Sequence, residues 1–194
     1  MEPKRHAVFT TMGASNYRTY DRPTDDFYAT DAIAVKKLLE VEKFHYQVYE
    51  PACGMGHISE VLLDHGYTVK STDLVYRGYG EFKPVDFLTL NWCDVDMDIV
   101  TNPPYSHAEQ FVRKAIEVIA EGHKVAMLLK IQFLESQKRK ALFEEYPPRT
   151  VYVFSKRVAC AKNGDFNQKL SSAMFFAWFI WEKGYKGKTY IKWL

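Results

Sequence analysis

Residues 46–63 constrain the fold most. Tyr46-Gln47-Val48-Tyr49-Glu50 reads as a strand, Pro51-Ala52-Cys53-Gly54-Met55-Gly56 as a tight glycine turn, and His57-Ile58-Ser59-Glu60-Val61-Leu62-Leu63 has helical spacing. A strand that passes through a glycine turn straight into a helix places a nucleotide-like ligand at a helix N-terminus, with Gly54 and Gly56 allowing close backbone approach. A second strand, Tyr67 to Thr72, ends in Asp73, roughly 20 residues beyond the turn, where an acid can accept hydrogen bonds from ribose hydroxyls. A dinucleotide fingerprint would want a third small residue, which Ser59 only partly supplies. This half of the chain therefore leaves a nicotinamide cofactor and S-adenosylmethionine both open.

The rest of the chain repeats the alternation. Ala32, Ile33, Val35, Leu38 and Leu39 lie on helical spacing after Asp26-Phe27-Tyr28-Ala29-Thr30-Asp31, a turn in which Thr30 or Asp31 suits an N-cap and the helix start favours an anion such as a carboxylate. Ala108 to Ile119 forms an amphipathic helix with Gly122 as its expected C-cap. Lys124 to Lys130 is a continuous apolar run, as in a strand buried on both faces. A charged helix, Ser136 to Glu145, stops before Pro147-Pro148. Val151 to Phe154, Ala173 to Trp181 and Tyr190 to Trp193 read as strands, with a polar loop over 155–168. This pattern predicts an α/β parallel sheet into which the final strands insert antiparallel. Residues 1–26 show no sustained period and are expected to form a polar arm, leaving 27–194 as a single domain.

Asn102-Pro103-Pro104-Tyr105, after the apolar run Asp98-Ile99-Val100-Thr101, separates the two cofactor readings. An exocyclic amine on a purine is a poor nucleophile because its lone pair is spread into the ring. If the Asn102 side-chain oxygen and the Pro103 carbonyl each accept one N–H, the nitrogen is drawn toward tetrahedral and its lone pair is localised. Prolines fix φ and lack a donor, so the corner is stiff and its carbonyls are available. Tyr105 offers a ring for stacking, worth about 1–3 kcal/mol for a base. A hydride-transfer enzyme has no use for such a clamp. Within Val85-Asp86-Phe87-Leu88, Asp86 is placed to accept a cofactor adenine amino group while Phe87 covers its face.

Asp94, Asp96 and Asp98 resemble the opening of a calcium loop, but Ile99 stands where the turn needs Gly and Tyr105 where the bidentate Glu belongs, so no metal is expected. His57, His107 and His123 lack ligand or relay spacing and read as surface or capping residues. The three cysteines form no C-x-x-C pair, so neither a disulfide frame nor zinc is indicated and a cytoplasmic setting is expected. No apolar run approaches a membrane span. Charge is uneven: 12 basic against 19 acidic residues in 1–123, net −7, and 14 against 5 in 124–194, net +9. That split fits either a polyanion-binding face or an ordinary solvated Lys-rich surface.

These segments together resemble the class I S-adenosylmethionine-dependent methyltransferases, and specifically the N6-adenine DNA group with an Asn-Pro-Pro-Tyr motif. The order Phe27-Tyr28-x-Thr30, Glu50-x-x-x-Gly54-x-Gly56, Asp73, Asp86-Phe87, Asn102-Pro103-Pro104-Tyr105 matches that group, and Lys130 to Glu135 and Phe154 to Phe166 are similar to small phage and prophage members. Asp31 stands where the family usually has Pro. The resemblance implies a Rossmann-like, mostly parallel seven-stranded sheet with an antiparallel strand near the C-terminus and helices on both faces. It implies S-adenosyl-L-methionine as cofactor, with Phe27, Tyr28 and Thr30 at the methionine carboxylate and Glu50 at its amino group. Pro51, Ala52, Gly54 and Gly56 would form the backbone cradle, Asp73 with Leu74 would meet the ribose, and Asp86 with Phe87 the adenine. Asn102, Pro103, Pro104 and Tyr105 would handle the target base. Lys130, Lys156, Arg157, Lys162, Asn163 and Lys169 are the expected nucleic-acid contacts. Only the loop 155–169 and a short tail are left to recognise a site, so sequence choice is expected to be loose, absent, or supplied by a homodimer partner or an accessory specificity subunit. The same tetrapeptide serves enzymes that methylate RNA bases or protein glutamine, and a catalytically idle nucleic-acid-binding partner is a further alternative.

Overall fold

The apolar run Val125–Leu129 lies at the centre of the molecule. In the computed structural model, which describes residues 27–158, 160–162 and 175–194, these residues form strand β5 (Lys124–Lys130), the fourth of seven in one sheet. Successive side chains of a strand point to opposite faces, and both faces of β5 are covered. Val125, Met127 and Leu129 enter one cluster with Phe111, Val112 and Leu142; Ala126 and Leu128 enter the other with Val35, Leu38, Ile58 and Leu62. All five of these β5 residues are at most 1% exposed. Truncating such a buried Leu to Ala typically costs about 2–5 kcal/mol.

Before β5 come β1 (Tyr28–Thr30), β2 (Gln47–Glu50), β3 (Thr68–Ser71) and β4 (Asp98–Thr101). After it come β6 (Thr150–Val153), β7 (Cys160–Lys162), β8 (Phe176–Glu182) and β9 (Tyr190–Trp193). The large sheet has the order β3-β2-β4-β5-β8-β6-β9, and only β8 runs antiparallel to its neighbours. Helices α1 (Ala32–Val41) and α2 (His57–Asp64) cover one face, and α3 (Ala108–Val118) and α4 (Gln137–Glu145) the other. The expected α/β sheet with one inserted antiparallel strand is the observed one. The chain leaves β2 for β3 on one side and returns to β4 on the other, so the strand order reverses between β2 and β4. In such sheets the ligand crevice lies outside the carboxyl ends of the strands at this switch.

Two local expectations change, and a third, the N-cap of α1, is narrowed to one of its two candidates. The segment Phe27 to Thr30 is not a free turn: β1 pairs antiparallel with β7, Tyr28 opposite Lys162 and Thr30 opposite Cys160. The N-cap of α1 is Asp31, whose carboxylate accepts from the Ile33 N–H. Gly122 does not cap α3, which ends at Val118; it sits in the turn before β5 at φ +79°. The expected arm 1–26 and the site residues Asn163 and Lys169 lie outside the described residues, as does the side chain of Lys162. Among the described residues no helix is long and apolar enough to cross a membrane.

Candidate active site

At the carboxyl ends of β2, β3 and β4 the wall of a cavity of about 210 Å³ is formed by side chains that are far apart in sequence. Phe27, Tyr28 and Thr30 come from β1 and the residue before it; Glu50, Pro51 and Ala52 from the end of β2; Asp73 and Leu74 from the end of β3; and Asn102, Pro104 and Tyr105 from the end of β4. Asp86, Val85 and Leu88 complete the wall beside Phe87.

The turn after β2 is built on its glycines. Gly54 has φ +55° and Gly56 has φ +87°, both left-handed, and a Cβ on Gly54 would strike the Phe27 ring while one on Gly56 would strike Tyr79. Neither glycine lines the cavity; both support the residues that do. The Gly54 N–H donates to Asp73 Oδ2 at 2.8 Å, which ties the turn to the end of β3. The other Asp73 oxygen accepts from the Val75 N–H at 2.9 Å and from Arg77 at 3.0 Å. Arg77 lies over the Phe27 ring, its guanidinium carbon 4.7 Å from the centroid. Arg77 is thus a wall residue that pattern reading missed, although its spacing of four from Asp73 is a local signal for the pair.

Glu50 is 2% exposed and accepts a hydrogen bond from the Ser59 hydroxyl, which also meets Ser71 at 2.6 Å. Burial pushes the Glu50 carboxyl well above its ordinary value, against the lowering effect of Ser59, and the nearby Asp73 charge pushes in the same direction as burial. An acid buried in a cavity wall beside a second acid is suited to a positively charged ligand. Ser59, only a partial match to a dinucleotide fingerprint, instead holds Glu50 in place. Burial likewise pushes the Cys53 thiol up to about 12, so this wall residue is a neutral thiol.

The Asn102 side chain is oriented by an obligate acceptor, the Tyr28 carbonyl. Its Nδ2 donates to the Tyr28 carbonyl at 2.9 Å and to the Thr30 hydroxyl at 3.1 Å. A carbonyl cannot donate, so the amide nitrogen must face Tyr28. That leaves Asn102 Oδ1 buried and without a hydrogen-bond partner. A buried unsatisfied acceptor typically costs about 1–3 kcal/mol, and in a cavity wall it is a site for an incoming donor. Pro103 is buried and is not on the wall, whereas the Pro104 carbonyl accepts from the His107 N–H at 2.9 Å.

Tyr105 is not the bare platform expected. Its ring lies 5.6 Å from Tyr28 and 5.9 Å from Phe176, tilted about 30° to each, and Lys130 Nζ sits 4.7 Å from its centroid. Phe87 is 1% exposed, packed against Tyr49 and Phe111, so its ring belongs mainly to the core. Asp86 is exposed and accepts from the Leu88 N–H at 3.0 Å, capping the short turn it begins. Lys156 and Arg157 are exposed, Arg157 over Phe175 at 5.1 Å. His57 is half-buried and His107 is exposed at the N-cap of α3, in keeping with surface or capping positions, and both also line the cavity.

No family model matches the chain, and no curated protein does. Solved structures do. One described as an O-methyltransferase from Agrobacterium tumefaciens is 12% identical with a TM-score of 0.60, over 84% of this chain and 85% of its own. One described as a modification subunit of a type I restriction enzyme from Vibrio vulnificus is 14% identical with a TM-score of 0.62, over 95% of this chain and 49% of its own. One described as an RNA methyltransferase from Pyrococcus horikoshii is 15% identical with a TM-score of 0.57, over 93% and 99%. The chain has the Rossmann-like fold of these methyltransferases. At such identities the likeness concerns the fold, and the chemistry must come from the residues on the wall.

Proposed function

We propose that this protein transfers a methyl group from S-adenosyl-L-methionine to the exocyclic N6 amino group of adenine in DNA. The observation that carries the reading is the buried, unpartnered Asn102 Oδ1 beside Tyr105, in the cavity that also holds Glu50 and Asp73. The wall fits the cofactor by its donor set: a buried carboxyl, Glu50, for a cationic amino acid end; Asp73 for hydroxyls; and Asp86 with Val85 and Leu88 for a flat polar-edged ring.

When bound, that cofactor supplies an electrophilic methyl carbon on a sulfonium. Asn102 Oδ1 accepts one N–H of the target amine, which localises the nitrogen lone pair for attack on that carbon. The cofactor would supply the methyl group and keep the bonding pair on its sulfur, and the methylated nitrogen would lose its surplus proton to water. No strong base is needed beforehand, because a charged, methylated amine is acidic. A target inside a duplex must first be turned out of the stack. Lys130 and Arg157, which lie over Tyr105 and Phe175, put cations next to aromatic rings, the combination that suits nucleic acid.

The test is to incubate the purified protein and methyl-labelled cofactor with duplex DNA, single-stranded DNA, total RNA and a protein extract, then to digest and identify the product. N6-methyladenine in DNA is expected. Label in RNA bases or in glutamine would move the substrate assignment, and no label in any arm would overturn the enzymatic reading.

A further inference from the structure

The amino ends of β2, β4 and β5 lie side by side at the opposite edge of the sheet from the cavity, and three loops meet there. They bring His45, Asp96 and His123 together, so that one ligand atom from each lies within 4.8 Å of the others. His123 Nε2 is 3.0 Å from Asp96 Oδ1, and His45 Nε2 is 3.9 Å from the same oxygen. The two imidazoles stand 5.0 Å apart between centroids, edge to face at 73°.

Behind this group is a second carboxylate. Asp98 has a side chain only 4% exposed. Its Oδ1 lies 2.9 Å from His123 Nδ1 and accepts from the Lys124 N–H at 2.8 Å, while its Oδ2 accepts from the His45 N–H at 2.6 Å. Asp98 therefore binds both histidine-bearing loops. It also accepts the Nδ1 proton of His123, so that Nε2, whose proton a bound ion would displace, faces Asp96. An imidazole whose far nitrogen is held by a buried carboxylate is the arrangement that orients histidine toward a metal ion.

We propose that His45 Nε2, His123 Nε2 and an Asp96 carboxylate oxygen bind a divalent zinc-type transition ion, with water completing the coordination. With zinc–nitrogen and zinc–oxygen bonds near 2.1 Å, adjacent donors in a tetrahedron lie about 3.3–3.5 Å apart. The observed 3.0 and 3.9 Å bracket that spacing. Two imidazoles and one carboxylate suit zinc, nickel or copper, whereas calcium and magnesium require a shell of oxygens. Metal on His45 Nε2 shifts its ring proton to Nδ1 and gives up only the long 3.5 Å approach of the Gln47 N–H. The four residues of β4 separate this group from Asn102, a span of about 13 Å at 3.3 Å per residue. At that distance the ion would clasp three loops and take no part in methyl transfer, whatever the substrate of the cavity.

The test uses the 194-residue chain stripped with a chelator and titrated with zinc chloride by calorimetry, alongside His45→Ala and Asp96→Asn, both at exposed positions that leave the core intact. Saturable binding of one ion per chain is expected, at least tenfold weaker in each variant, with a rise in Tm on zinc addition for the parent protein only. Cobalt in place of zinc should give visible absorption characteristic of a four-coordinate site. Absence of saturable binding in the parent protein, or equal affinity in parent and variants, would overturn the proposal.

Discussion

The Thr30 hydroxyl accepts from the Asn102 side-chain amide at 3.1 Å, joining β1 to the end of β4 across 72 residues of sequence. The Tyr28 carbonyl, which can only accept, decides which way the Asn102 amide points and leaves Oδ1 unpartnered, and the Thr30 hydroxyl holds that orientation by taking the second amide proton. Thr30 is thus a positioning residue. Thr30→Val keeps the shape and removes the acceptor, a hydrogen bond worth about 0.5–1.5 kcal/mol. We expect kcat to fall roughly threefold to tenfold with cofactor Kd little changed, and Thr30→Ser to restore most of it. A parallel loss of cofactor affinity would show that Thr30 acts on the cofactor directly.

Asn102 and Asp73 should separate in their effects. Asn102→Ala removes the open acceptor and is expected to abolish transfer while leaving cofactor binding nearly unchanged. Asp73→Ala removes the anchor of the Gly54 N–H and breaks the ion pair with Arg77, so cofactor affinity should fall at least tenfold. Calorimetry with cofactor and a labelled-methyl assay on both variants check this; equal loss of affinity in the two would refute the division of labour.

Gly54→Ala probes the turn. A side chain at φ +55° is strained, and its Cβ would displace Phe27, on which Arg77 rests. The variant should fold, with Tm lowered by a few degrees and cofactor affinity reduced, because strain of about 1–2 kcal/mol is local. Unchanged affinity would show that Phe27 is not needed where it stands.

What could be read in advance was local. The β2 to α2 turn, the apolar run of β5 and the α3 stripe each carry their signal within a few neighbours, and their ends fall within a residue or two of expectation. The Phe27 to Thr30 segment did not, because it becomes a strand only through Cys160 to Lys162, over 130 positions away. Arg77 reaches the cavity wall through its pairing with Asp73 four residues earlier, and His57 and His107 through the glycine turn and the Asn102 to Tyr105 corner just before them. The grouping of His45, Asp96 and His123 depends on three parallel strands lying in the order β2-β4-β5, which no linear motif records. Phe87 serves two places at once: it lines the cavity, as its sequence neighbourhood suggests, while Tyr49 and Phe111 pack it into the core.

Glu50 gives a prediction with a definite sign in pH. Its native carboxyl is held well above the ordinary value of 4.5 by burial, whereas in the unfolded chain it titrates normally. Between those two values the native state keeps a proton that the unfolded state has lost, so stability falls as pH rises through that window and the full penalty is present above it. One group contributes a slope of at most about 1.4 kcal/mol per pH unit. Glu50→Gln removes the titration while keeping an acceptor for Ser59. Its stability relative to the parent should therefore be constant below pH 4.5 and improve progressively above it, as read from urea unfolding at a series of pH values. The same substitution should weaken binding of a cationic cofactor, since the ionised form is the one that attracts it. In the parent protein binding should release a proton, visible as a dependence of the calorimetric heat on the ionisation enthalpy of the buffer. A stability difference that does not vary with pH, together with buffer-independent heats, would show that Glu50 is already ionised in the free protein.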